Sequence, residues 1–137
     1  MRPPGQAPAM AYPDYDQAVA FHQELAKRLG AEDWGPINEP RLKGALERAR
    51  DTVQHQRGDI ITIAAFMFFG LVRDAPFGKG STETGLALTL AFLMRHGVMI
   101  DTEDEELAGI SLGVADGQVF AGMVEQWMRE YAGRGMF

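Results

Sequence analysis

Cysteine is absent from this sequence and histidine is scarce, and these two shortages exclude several kinds of site. The 137 residues include no cysteine and three histidines. Without thiols, the chain cannot form disulfides, thiolate nucleophiles or cysteine-ligated metal sites. The three histidines do not have the spacing of a metal site. We therefore predict no metal site, and the lack of cysteine fits a reducing cytoplasmic setting.

Positive charge and long apolar runs are also in short supply. Thirteen basic residues against nineteen acidic ones give a formal net charge of −6 at pH 7. Binding to a nucleic-acid backbone needs clustered Lys and Arg, so no nucleic-acid partner is predicted. The longest apolar stretch, 60–72, falls short of the roughly 20 residues needed to cross a bilayer. No membrane partner is predicted either.

The spacing of apolar residues predicts an all-α fold, a compact bundle of about six helices. Residues 1–13 read as a disordered N-terminal tail without a secretory signal, and residues 14–137 as a single helical domain. The segment 59–73 is apolar on nearly every face, which is typical of a central helix. The expected helices cover 14–29, a segment from Asn38 onward, 59–73, 81–96, a segment from a Thr102 capping box to Ala115, and a segment after Gly117, with a short extended piece at 98–100.

A glycine-rich junction before the fourth helix is the most informative local pattern. The run Gly78-Lys79-Gly80-Ser81-Thr82 can present free backbone N–H groups and two hydroxyls at the positive end of a helix. Such a junction is suited to an anion or phosphate. The spacing is not that of a Walker A loop, because Lys79 is followed by glycine. The alternative is an ordinary turn that binds nothing.

The segment from Val72 to Ala87 resembles the signature H-P-F-x-D-G-N-K-R-T-A of the Doc (death-on-curing) branch of the Fic/Doc (Fido) family. Similarity also extends to Phe21-His22-Gln23, to the segment 35–42, to 93–98 and to 104–117, so that it covers roughly residues 14 to 133. The resemblance implies a helical fold that transfers a nucleotidyl or phosphoryl group from ATP or another nucleotide to a protein hydroxyl. It further implies a histidine general base, a magnesium-holding acid, and a toxin-antitoxin setting in which a small antitoxin lies across an apolar groove.

Several positions of the motif depart from the signature. Ala75 stands at the histidine position and cannot accept a proton, and Lys79 stands at the metal-holding acid, which makes magnesium doubtful. General-base catalysis typically contributes about two to four orders of magnitude. The signature's Asn, Lys and Arg are Ser81, Thr82 and Glu83. No catalytic residue is assigned, and the candidate nucleotide- or anion-binding residues are Pro76, Phe77, Gly78, Lys79, Gly80, Ser81, Thr82 and Glu83.

These departures predict a catalytically impaired pseudoenzyme that binds a nucleotide, an anion or a protein partner. In one hypothesis Lys79 replaces the charge of magnesium, and in another Glu83 satisfies the helix amides and seals the pocket. The competing reading is an active transferase that modifies a protein hydroxyl by a non-standard mechanism, and a third is a toxin-antitoxin interaction protein that uses no nucleotide. The lone His22 on the apolar face of the first helix is predicted to be a hydrogen-bonded core residue.

Overall fold

A computed structural model describes the backbone of residues 12–56 and 59–134, and the side chains of these ranges except 53–56 and 134. The described chain is mostly helical, which confirms the predicted all-α bundle. Its six helices are α1 (Tyr15–Leu29), α2 (Glu39–Gln56), α3 (Ile60–Arg73), α4 (Ser81–Arg95), α5 (Asp104–Ala115) and α6 (Ala121–Tyr131). A 3-10 turn, Gly78–Gly80, leads directly into α4. None of the described helices has the length and apolar character that crossing a membrane requires.

The apolar helix α3 lies at the centre of the bundle, as predicted, and packs against α2, α4, α5 and α6. Its side chains Met67, Phe68 and Leu71 are almost completely buried. Burying side chains of this size contributes roughly 1.5–3 kcal/mol each. The backbones of α2 and α3 approach closely, since a Cβ added at Gly70 would lie 3.3 Å from the Cβ of Ala45. This close packing of α2 and α3 fixes the positions of the side chains that the two helices carry.

A two-stranded antiparallel ribbon joins the end of α4 to the end of α6. Strand β1 (Val98–Ile100) pairs with β2 (Ala132–Arg134), with Val98 opposite Arg134. The extended piece at 98–100 was predicted, whereas its partner strand was not. The amide of Asp101 continues the ribbon by donating to the carbonyl of Tyr131 at 2.8 Å.

The predicted Thr102 capping box is wrong. Helix α5 begins at Asp104, and its N-cap is Glu103, whose side chain makes no capping hydrogen bond. The physical reason lies in the ribbon, because the Asp101 hydrogen bond holds the preceding chain extended and moves the helix start one residue further on. Acidic residues still fill the first turn of α5, where the helix dipole favours them.

Of the predicted tail 1–13, residues 1–11 lie outside the described part of the chain. Tyr12, however, packs against the folded domain. Its hydroxyl donates to the carbonyl of Leu46, and its ring meets Phe92 edge-on with a centroid distance of 5.6 Å. Burial raises the pKa of this phenol. An aromatic ring that covers apolar surface and bonds a helix carbonyl explains why the chain is held here.

Candidate functional site

The loop between α3 and α4 carries the motif residues and is bound tightly to the rest of the domain. Ala75 has a φ of +48°, a left-handed conformation that a residue with a Cβ seldom adopts. Pro76 and Phe77 are fully buried. The carbonyl of Pro76 accepts from the amide of Asn38 at 2.8 Å, which joins this loop to the chain segment between α1 and α2.

His22 lies directly beneath the loop and is a structural residue. Its ring stacks on Phe77 with a centroid distance of 4.4 Å and an interplanar angle of 16°. Its Nδ1 is 2.9 Å from the hydroxyl of Thr84, a contact between α1 and α4. Burial lowers the pKa of His22, so the neutral ring is favoured at pH 7. The prediction of a hydrogen-bonded core histidine is confirmed.

The amides of residues 77–81 all have acceptors within the chain, so none of these five is left over for a ligand. Phe77 donates to the Ser81 hydroxyl at 3.0 Å, Gly78 to the Ala75 carbonyl at 3.2 Å, Lys79 to the Trp34 carbonyl at 3.0 Å, Gly80 to the Phe77 carbonyl at 3.2 Å, and Ser81 to the Gly78 carbonyl. The hydroxyl of Ser81 is itself buried. Four amides of the predicted run, those of residues 78–81, are therefore already paired within the chain.

Trp34 explains why this loop is rich in glycine. A Cβ added at Gly80 would lie 2.3 Å from atoms of the Trp34 indole, and one added at Gly78 would lie 2.2 Å from the Trp34 carbonyl oxygen. Gly78 also has a φ of +59°. Both glycines are thus required by the close approach of the 31–38 segment. Sequence periodicity carries no signal for this contact, because it joins two loops far apart in the chain.

The remaining motif side chains, those of Lys79, Thr82 and Glu83, lie at least partly at the protein surface. Lys79 and Glu83 are exposed, and Thr82 is half-buried. The acceptors of the amides of residues 77–81 do not include the Glu83 carboxylate. The hypothesis that Glu83 satisfies the helix amides therefore does not hold at Ser81, the first residue of α4, and stays a prediction for the amides that follow it. The hypothesis that Lys79 replaces a magnesium charge stays a prediction.

A groove on the other side of Ala75 was not predicted. It has a volume of about 820 Å³ and lies between α2, α3 and the start of the motif loop. Three arginines and two phenylalanines give it its character. Its lining consists of Pro40, Arg41, Ala45, Arg48, Thr52, Phe66, Phe69, Gly70, Arg73, Asp74 and Ala75.

Helical spacing places the arginines of the groove. Arg41 and Arg48 are seven residues apart on α2 and so share one face of the helix. Arg73, at the end of α3, donates through Nη1 to the carbonyl of Ala115 at 3.2 Å. Arg41 and Arg48 are both exposed and line the groove. Their i, i+7 spacing in the sequence was the one signal for a site. That spacing alone does not show whether the shared face of α2 lines a groove, because this depends on which element packs against it.

Asp74 is the acidic residue of the groove and is held by two arginines. Nη2 of Arg48 forms an ion pair with its Oδ2, and Nη1 of Arg41 donates to its backbone carbonyl at 3.3 Å. The remaining lining side chains are apolar or neutral, apart from Arg73. The groove is therefore positively charged in a chain whose net charge is −6.

The other two histidines do not join this site. His96 ends α4, is half-buried, and has its pKa lowered by burial and by the nearby charge of Arg95. The side chain of His55 lies outside the described residues. Over residues 12–52 and 59–133, no three His, Asp or Glu side chains come together as a set of metal ligands.

No protein-family model matches this chain, and no curated protein shows a significant match to it.

Proposed function

We propose that this chain is a Doc-like, Fic-type domain that has lost transferase chemistry and acts by binding an anionic ligand, specifically a nucleotide. The observation that carries the proposal is the groove in which Arg41, Arg48 and Arg73 lie beside two phenylalanines. Guanidinium groups bind phosphates through forked hydrogen bonds. Aromatic rings accept the faces of nucleobases by stacking. The groove therefore offers both parts of a nucleotide a suitable partner.

The position of Ala75 supports a binding role over a catalytic one. Ala75 lies at the edge of this groove, at the point where the resemblance to the family would put the general base. Of the residues that line the groove, Asp74 provides the carboxylate, and its Oδ2 is already paired with Arg48. Charge and positioning are available here to hold phosphates. A free base beside them is not supplied by the lining residues.

Thermal unfolding of the purified chain with ATP, GTP, CTP or UTP, with and without magnesium, tests the proposal. A ligand at a hundred times its dissociation constant adds about 2.7 kcal/mol to the unfolding free energy, which at this chain length means several degrees in Tm. We expect such a shift for at least one nucleotide, and we expect it without magnesium because arginine side chains neutralise the phosphates.

Two substitutions on the same helix show whether the groove is responsible. Arg48→Ala removes a groove guanidinium, whereas Arg50→Ala removes a charge from α2 that does not line the groove. The nucleotide-dependent shift should shrink in the first variant and persist in the second. No shift with any nucleotide in the unmodified chain would contradict nucleotide binding. Incorporation of labelled nucleotide into a protein target would instead support the active-transferase alternative.

A protein partner is a second candidate, favoured by an apolar extension of the groove. Phe120 is 58 % exposed, and its ring centroid lies 6.5 Å from that of Phe69, which lines the groove. Met123, one turn further along α6, is also exposed. An antitoxin-like segment with an apolar face fits such a surface. Copurification of a small protein with the tagged chain, lost in Phe120→Asp, would support this function without any nucleotide.

A further inference from the structure

Asp74 occupies an unusual place within the groove, because it is an acid at the end of a helix. It is the C-cap of α3, where the helix dipole is negative. A carboxylate at this end is disfavoured by the dipole, so the stability of α3 does not explain why an acid stands here. Two arginines of α2 offset this unfavourable interaction with the dipole. Arg48 pairs with the Asp74 carboxylate, and Arg41 donates to the Asp74 carbonyl.

The Asp74 carboxylate presents to Arg48 the same chemistry that a phosphate ligand would present. Carboxylate and phosphate oxygens both accept from the guanidinium fork, so a phosphate that binds both nitrogens of the fork has to displace the Asp74 carboxylate from Nη2. Asp74 remains about one-third exposed, so its side chain has access to water on release. The pair is formed within one chain and therefore needs no loss of translational freedom.

We propose that Asp74 is an internal competitor, whose carboxylate occupies Arg48 until a phosphate-bearing ligand displaces it. This inference rests on the proposed function, since it concerns the regulation of the same groove. A ligand then binds only to the fraction of molecules in which the pair is open, and its apparent affinity falls by that fraction. Weak anions leave the groove closed, whereas a ligand with several negative charges opens it.

Calorimetric titration of the full chain with inorganic pyrophosphate at low salt tests this competition. Asp74→Asn keeps the size of the side chain and removes its charge. We expect it to bind pyrophosphate about 1.4- to 5-fold more tightly than the unmodified chain, which is the range expected for releasing one exposed ion pair. Asp51→Asn is the matched control, because it removes the same charge from an acid on α2 that pairs with Arg50 outside the groove. Its affinity should stay close to that of the unmodified chain.

Making the Asp74→Asn substitution in an Arg48→Ala variant separates competition for Arg48 from a general effect of the changed charge. In Arg48→Ala, the added Asp74→Asn substitution should no longer tighten pyrophosphate binding. An equal gain with and without Arg48, or no gain from Asp74→Asn in the unmodified background, would overturn the inference.

The failures of the two proposals give different results. If the unmodified chain binds and Asp74→Asn binds no more tightly, the competitor role of Asp74 is wrong and the proposed binding function stands. Absence of binding in both proteins, with pyrophosphate and with every nucleotide, would remove both. Pyrophosphate binding that appears only in Asp74→Asn, while the unmodified chain still binds a nucleotide, would support both.

Discussion

At the scale of single residues, the contact between Gly80 and Trp34 decides what the motif loop can do. The indole covers the backbone just before α4, and the Trp34 carbonyl accepts from the Lys79 amide. The amides of residues 78–81, which could otherwise bind an anion, are thereby paired within the protein. In the proposed function, the arginine side chains on the other side of Ala75 bind the ligand instead.

Gly80→Ala should destabilise the fold by about 1–3 kcal/mol, because the added methyl overlaps the Trp34 ring. Backbone strain does not contribute, since Gly80 has an ordinary φ of −88°. Urea unfolding measures the change. Gly109→Ala is the control: it lies within α5 with nothing within 4 Å of the new Cβ and should gain up to about 1 kcal/mol. If Gly80→Ala is as stable as the unmodified chain, the described contact between loop and indole is wrong.

At the scale of elements, one cluster of charges joins α6 to the start of α3. Asp59 caps α3 by accepting from the amides of Ile61 and Thr62. Arg129 of α6 binds both oxygens of Asp59, at 2.9 and 3.1 Å, and also binds Glu125 at 2.8 Å. The hydrogen bond from Arg129 lowers the pKa of Asp59. The same carboxylate thus caps the start of α3 and anchors α6.

Arg129→Met should lower the unfolding free energy at pH 7 by about 1 kcal/mol, the upper range for an exposed pair, because the geometry is bidentate and shared. The loss should become smaller near pH 3. The pKa of Asp59 is depressed, so its stabilisation is complete above the ordinary carboxyl pKa of about 3.9 and is lost as the pH falls below it. Arg28→Met breaks only an exposed pair within α1 and should change stability by less than about 0.5 kcal/mol. A pH-independent effect of Arg129→Met would contradict the ion-pair explanation.

Local signals are sufficient to predict most helices but not the groove. The bounds of α1, α3 and α4 lie within one residue of the expected ranges, because capping aspartates and stop glycines act over a few residues. The missed features all join distant positions: β1 with β2, Tyr12 with Leu46, and Arg48 with Asp74. The glycine-rich junction was recognised as special, but its contact with Trp34 depends on how two loops meet. The periodicity of apolar residues carries no information about such contacts between loops.

At the scale of the whole molecule, the charge is unevenly distributed. The chain has a net charge of −6, yet three arginines surround one groove. The net negative charge repels anions overall, whereas the arginines of the groove attract them. Such a field favours a specific anionic ligand over non-specific polyanions, although salt weakens it.

Protonation of the buried histidines should limit the stability of the fold below neutral pH. The pKa values of His22 and His96 are both lowered by burial, so the unfolded chain binds more protons at these sites. Their contribution is complete above the ordinary pKa of 6.5 and is lost as the pH falls through the lower folded values. Tm should therefore decrease between pH 7.5 and pH 5. A His22→Gln, His96→Gln double variant should show a shallower decrease, and an unchanged slope would assign the effect to other groups.

The position of Trp34 also gives the protein its own optical reporter. The indole lies over Gly80 and 5.5 Å from the His22 ring, whereas the other tryptophan, Trp127, lies on α6 with its Nε1 donating to Glu106. Replacing Trp127 by Phe would leave Trp34, at the motif loop, as the single tryptophan of the sequence. Its emission would then follow the motif loop without an attached dye, and events in the arginine groove would register only where they move that loop.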